Sequence, residues 1–160
     1  MPLSPMGIFH TVLGIAAILA VIVLLVQDKQ IRLERPLAWF YLGATVLTAA
    51  SALVIFRHGG PNAAHGLAVL TIVAVVAGIA GSRLSVLGGL QKYFVALCFS
   101  VTVLFHLLPT ATEILTRFPM DAPMVASLQD PLLLKTFAVI SLVFFVLLAM
   151  QMNWLRKHTV

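Results

Sequence analysis

Charge is what this sequence has least of. Asp, Glu, Lys and Arg make up 9% of its 160 residues, where a soluble domain carries about 25%, and no water-facing surface can be assembled from so few. Long stretches also lack the 3.6-residue polar period of a solvated helix. Cysteine is nearly absent: Cys98 stands alone inside an apolar run, which excludes a disulfide framework within one chain. The net charge of +5 comes from basic residues scattered over short connections, with no patch of interleaved aromatics, so nucleic acid is excluded as a partner. There is no Gly-rich phosphate loop, no Cys-x-x-Cys-His, no His-Glu-x-x-His, and no base beside Ser100 or Cys98 to make either a nucleophile. Any enzymatic activity therefore rests on a cofactor that none of these motifs announces. Formal charge is missing from the middle of every apolar run, which argues against an ion-coupled carrier.

What is there is hydrophobic, at 61% of the chain. A bilayer core about 30 Å thick takes roughly 20 apolar helical residues to cross. Five segments qualify, at about 7–26, 37–56, 64–82, 92–112 and 131–153. The expected fold is all-α: a single polytopic transmembrane bundle over residues 1–160, with about five spans. Pro36 suits a first helical turn, Pro109 falls inside the fourth helix, and Asp130-Pro131 reads as an N-cap followed by proline. The first segment reads as a true span, because a basic n-region and an A-x-A-like site are both lacking. Small-xxx-small spacings over Ala74, Ala77, Gly78, Gly81 and Ser82 let a neighbouring helix approach the third span closely.

An odd number of spans puts the termini on opposite sides. One side collects Lys29, Arg32, Arg35, Arg83, Lys92, Arg156 and Lys157; the other holds Arg57, Arg117 and Lys135. The positive-inside rule then expects the N-terminus outside and the C-terminus in the cytoplasm. Trp39, Tyr41, Tyr93 and Trp154 fall at the cytoplasmic ends and read as interfacial anchors.

Against this topology the histidines form the one chemically suggestive pattern. His10, His58, His65 and His106 all map to the outer side, and ionisable groups inside a span are costly unless paired or ligated. A b-type haem needs two histidines facing each other at one depth across a bundle, which His10 with His65 or His106 would supply. Zinc or copper would need three or four ligands and so would draw in His58 as well. On the fourth helix His106, Thr110, Glu113 and Arg117 share one face. Glu113 there either backs a ligating histidine from a neighbouring helix or pairs with Arg117. No histidine lies in the inner half of any span, so a haem would be a single outer one.

Three stretches, FHTVLGIAA at 9–17, RHGGPNAAHGLAVLT at 57–71 and LFHLLPTATEILTRFP at 104–119, resemble a group of small uncharacterised bacterial inner-membrane proteins, and the likeness covers most of the chain. More distantly, the His-x-x-x-Gly opening formed by His10 and Gly14 is similar to predicted membrane proteins grouped with haem-binding multi-helix bundles. Those carry a His-Arg pair at the start of the second helix, where this chain has Glu34-Arg35. The resemblance implies a multi-pass protein of the bacterial inner membrane in contact with lipid. The outer histidines, with no inner ligand beside them, point to one b-type haem that would exchange electrons with a periplasmic partner or a quinone. The other expectation is a non-catalytic subunit or packing partner of a larger membrane complex.

Overall fold

The computed structural model describes residues 4–56, 60 and 62–158. Five helices follow one another: α1 (Pro5–Asp28), α2 (Pro36–Ala52), α3 (Ala63–Arg83), α4 (Gln91–Arg117) and α5 (Pro131–His158), with a 3-10 segment, Ser85–Leu90, before α4. No strand occurs among the described residues. Four of these helical stretches are long and apolar enough to cross a membrane by length and composition, as a multi-pass integral protein requires: α1, α3, the 3-10 segment with α4, and α5.

The helix starts are written locally. Ser4 Oγ accepts from Gly7 N at 3.1 Å ahead of Pro5, and Asp130 Oδ1 accepts from Leu132 N at 2.8 Å ahead of Pro131, both N-caps that satisfy orphan amides. α1 stops where Lys29 turns left-handed, at φ 59°. The turn into α2 is held by Arg35, whose Nε donates to Asp28 at 2.8 Å. That hydrogen bond first, and the carboxylate charge second, hold the Arg35 guanidinium above its ordinary pKa. α4 runs through Pro109 without a break.

The second span is the one that departs from expectation. α2 has 17 residues, so it rises only about 25 Å, and it ends at Ala52 rather than near Phe56. Past Ala52 the backbone tightens into i→i+3 turns, with Val54 N donating to the Ser51 carbonyl at 3.3 Å and Ile55 N to the Ala52 carbonyl at 3.1 Å.

Between transmembrane helices there is little hydrophobic driving force, so close approach and polar contacts hold them together. α1 meets α2 through a seam of small residues including Ala17, Ala20, Ala38 and Ala44, all buried. On α3, a Cβ at Gly78 would overlap the Phe99 ring and one at Gly81 would overlap the Phe94 ring. The small-residue stripe is therefore filled from inside the molecule by α4. α5 is peripheral: Leu133, Phe144 and Leu155 are its buried residues, spaced by three helical turns along one line. Gln151 fastens it, accepting from Ser100 Oγ at 2.7 Å and donating to the Lys29 carbonyl at 2.8 Å. Outward-facing apolar stripes complete the surface, as on α1, where Val12, Ile15, Leu19, Ile22 and Val26 are each more than half exposed. Such a surface suits lipid and not water.

If the α3–α4 contact depends on the missing Cβ, Gly78→Val destabilises the protein by about 1–3 kcal/mol, the range of core overpacking. Gly66, on the same helix with nothing within 4 Å of its would-be Cβ, is the control: Gly66→Ala is neutral or stabilising. Unfolding of the purified variants in mixed detergent micelles measures both.

Candidate functional site

The polar interior of the bundle is a seam along one face of α2. Tyr41, Thr45, Thr48 and Ser51 recur at four- and three-residue steps, which stacks them on one face of a helix, and all four are buried. A run of hydroxyls cannot face hydrocarbon without partners. α4 and α1 supply them.

Tyr41 is fully buried, and its hydroxyl lies 2.6 Å from Thr102 Oγ1 on α4. Thr102 spends its own hydrogen on the Phe99 carbonyl, at 2.6 Å, so Tyr41 is the donor. Thr45, one turn on, neighbours the Tyr41 hydroxyl and stands 3.0 Å from His106 Nε2. From α1, His10 Nδ1 lies 3.0 Å from the Thr48 carbonyl and 3.0 Å from Ser51 Oγ. A carbonyl only accepts, so Nδ1 carries the proton and the neutral ring keeps its lone pair at Nε2. His10 and His106 lie within electrostatic reach of each other. The Thr48 hydroxyl oxygen is buried without a partner, and an orphan of this kind marks a place where a native structure owes an explanation.

The seam thus brings together His10 and His106, two of the three expected ligands. His65 is placed differently. It sits at the third position of α3 and completes a capping box, its Nδ1 accepting from the Asn62 backbone N–H at 3.2 Å while Asn62 Oδ1 accepts from Ala64 N at 2.9 Å. The ring is buried, stacked on Phe56 with centroids 4.8 Å apart, and its Nε2 has no partner. Glu113 is ion-paired with Arg117 one turn along α4. Thr110 turns its hydroxyl back onto the carbonyl of His106, at 2.7 Å. His58 falls outside the described residues. Among the described residues no group of three or more His, Cys, Asp or Glu side chains could hold a metal ion.

Comparison with family models, curated proteins and solved structures finds no match to this chain. The site is therefore read from its own geometry. Two apolar clefts of about 360 Å³ lie elsewhere, one beside Trp39 and Val75 and one beside Tyr93 and Met152, and no histidine lines either.

One sequence expectation is corrected outright. Tyr41 is not an interfacial anchor: it faces the interior, and only its position near a span end made it look like one. Trp39, by contrast, is nearly half exposed and donates from Nε1 to the Leu33 carbonyl at 2.9 Å. The hydroxyl seam was missed, yet its signal is present as the spacing of Tyr41, Thr45, Thr48 and Ser51 against Thr102 and His106.

A double-mutant cycle on Tyr41→Phe and Thr102→Val should return a coupling of about 0.6 kcal/mol and no more than about 1.7, the range for hydrogen bonds between transmembrane helices. Additive losses in detergent unfolding would mean that the 2.6 Å contact contributes nothing.

Proposed function

We propose that the chain is a multi-pass protein of the bacterial inner membrane, with the histidine end of its bundle on the periplasmic side. There it holds one b-type haem through His10 and His106 and exchanges electrons with a partner in the membrane or periplasm. The orientation rests on the uneven distribution of Lys and Arg between the two sets of connections. The observation that carries the haem assignment is the attachment of His10 Nδ1 to the Thr48 carbonyl. Ligating histidines are characteristically held in this way by the ring nitrogen that does not bind the metal.

The donor set fits a bis-imidazole group in three respects. His10 has its lone pair at Nε2. His106 is reached by Thr45, which has the Tyr41 hydroxyl as a second neighbour, so a ligand can take the imidazole without orphaning the threonine. The unpartnered Thr48 hydroxyl stands on the same helix face between the contacts of the two histidines. His65 stands apart from this set, because its Nδ1 is engaged by Asn62 in the cap of α3, 3.2 Å from both the backbone N–H and Oδ1. Bound haem would supply one-electron chemistry. The chain's own part is to orient the two imidazoles through Thr48, Ser51 and Thr45, and to exclude water by the packing around Tyr41 and Thr102.

A second reading is favoured by the same hydrogen bonds. His10 and His106 have partners inside the bundle, which is what a membrane subunit with a polar interior, docked in a larger complex, would need for stability alone. The two readings separate cleanly. Purified after expression with added haem precursor, the haem protein shows a Soret band that both His10→Ala and His106→Ala abolish or shift, while His65→Phe keeps it. A wild-type protein without haem absorbance, folded and helical by circular dichroism, leaves the structural reading standing.

A further inference from the structure

We propose that the cleft between α4 and α5 is a binding site for one anionic glycerophospholipid, whose acyl chain lies along the apolar walls while Lys92 and Arg156 hold its phosphate. The site is at the end of the bundle opposite His10 and His106. It rests on the placement of the chain in a membrane and is independent of the haem.

The walls come from three elements. Leu87 and Leu90 belong to the 3-10 segment, Tyr93 and Leu97 to one face of α4, and Leu148 and Met152 to one face of α5. Together they leave about 360 Å³ open between the helices. The 3-10 segment closes the polar end: it turns at Gly88, where φ is 50°, and none of its residues is buried. A cleft with this lining offers water too few polar partners to hold it. Set in a bilayer, it takes a hydrocarbon chain.

Charge at the rim selects the headgroup. Leu148, Met152 and Arg156 follow one another at four-residue steps on α5, so the row that lines the cleft ends in a guanidinium about 12 Å along the axis from Leu148. Lys92 comes from the other wall. Its Nζ stands 5.0 Å from the centre of the Tyr93 ring and 3.4 Å from the carbonyl of Leu155, the residue before Arg156. The ammonium uses one of its three protons there, and Arg156 has no side-chain partner among the described residues. The chain has five Asp and Glu side chains. Asp28 and Glu34 are at this end, but Arg35 and Arg32 take them; Glu113, Asp121 and Asp130 lie at or beyond the far end of α4. Two cations therefore rim one apolar opening without a carboxylate, and basic pockets between transmembrane helices recognise anionic headgroups. In the cleft beside Trp39, by contrast, the lining row of α3 ends in a single cation, Arg83, one turn past Ile79. A second copy of the chain is a poor occupant, since one inserted the same way brings the same cations to the same level.

The test titrates the full chain, in a nonionic detergent, with dioleoylphosphatidylglycerol or dioleoylphosphatidylcholine and counts bound lipids by native mass spectrometry. The wild type is expected to bind one phosphatidylglycerol about tenfold or more tightly than phosphatidylcholine, as two cations at the rim imply. Lys92→Gln and Arg156→Gln should each weaken phosphatidylglycerol about fivefold, the scale of one basic residue at an anionic surface, and leave phosphatidylcholine unchanged. Lys92→Arg should stay near the wild type. Arg32→Gln removes a charge from the α1–α2 turn at the same end and should also bind as the wild type does. Leu148→Trp fills the cleft and should weaken both lipids. Glycerophosphate, which has the phosphate without the chains, should not compete. The proposal is overturned by equal affinity for the two lipids, or by an equal loss in Arg32→Gln, which would mark diffuse charge attraction. Full competition by glycerophosphate would also overturn it, marking a soluble phosphate site. So would a dimer that forms without lipid and is lost in Leu148→Trp, which puts a second copy in the cleft. If Leu148→Trp does not fold, the glycerophosphate titration still separates headgroup from chain.

Discussion

Hydroxyl groups inside a bilayer have no water to turn to, and the four on one face of α2 set the terms for the whole bundle. They must be sandwiched, so α1 and α4 are drawn onto α2. α2 is the shortest of the five helices, but eight of its 17 residues are buried, against three of 28 on α5. These two facts belong together. A helix whose ends lie among other helices need not match the hydrocarbon thickness, since its terminal carbonyls find protein partners such as Ser51 and His10 instead of lipid.

The two histidines of the seam are where this arrangement passes from packing to chemistry. A hydroxyl can pair with a backbone carbonyl of its own helix, as Thr11, Thr71 and Thr110 do. An imidazole has two nitrogens on opposite sides of a rigid ring, and one internal bond never satisfies both. Binding His10 through Nδ1 therefore fixes what the ring can do with Nε2. His65 is engaged through the same nitrogen by Asn62, in the cap of α3. Two residues of one type at one end of the bundle thus take different settings, one in the hydroxyl seam and one in a helix cap, and only their neighbours make the difference.

Much of the fold was legible before any coordinates. Long apolar runs gave the helices, Asp130-Pro131 gave the start of α5, and the glycine stripe of α3 gave a close contact, which Phe94 and Phe99 of α4 fill. Hydropathy could not rank the helices by burial, because residues facing lipid and residues facing another helix are equally apolar. That is why hydropathy alone puts Tyr41 at the interface and carries α2 past Ala52. The hydroxyl spacing carries the missing information, since lipid-facing positions have no use for it. The capping box at Asn62 was hidden for a different reason. Its third position holds histidine where glutamate or glutamine is usual.

The two ends of the bundle also differ in how tightly their polar groups are tied. At the end holding the α1–α2 turn, Arg35 grips Asp28 and Gln27, Gln91 Nε2 donates to the last carbonyls of α3 at Gly81 and Ser82, and Gln151 joins α5 to α4 and to Lys29. Each of these contacts links separate helices or closes a turn, so the end behaves as a clamp. The opposite end contains the orphaned atoms of Thr48 and His65, an α2 that stops early, and an exposed phenylalanine over an imidazole. Local opening is cheapest where few contacts must break. The ties among the described residues at that end are those of His10 to α2 and of Thr45 to His106, so there the helices are joined through imidazoles and hydroxyls, and whatever binds the imidazoles must exchange those contacts for its own.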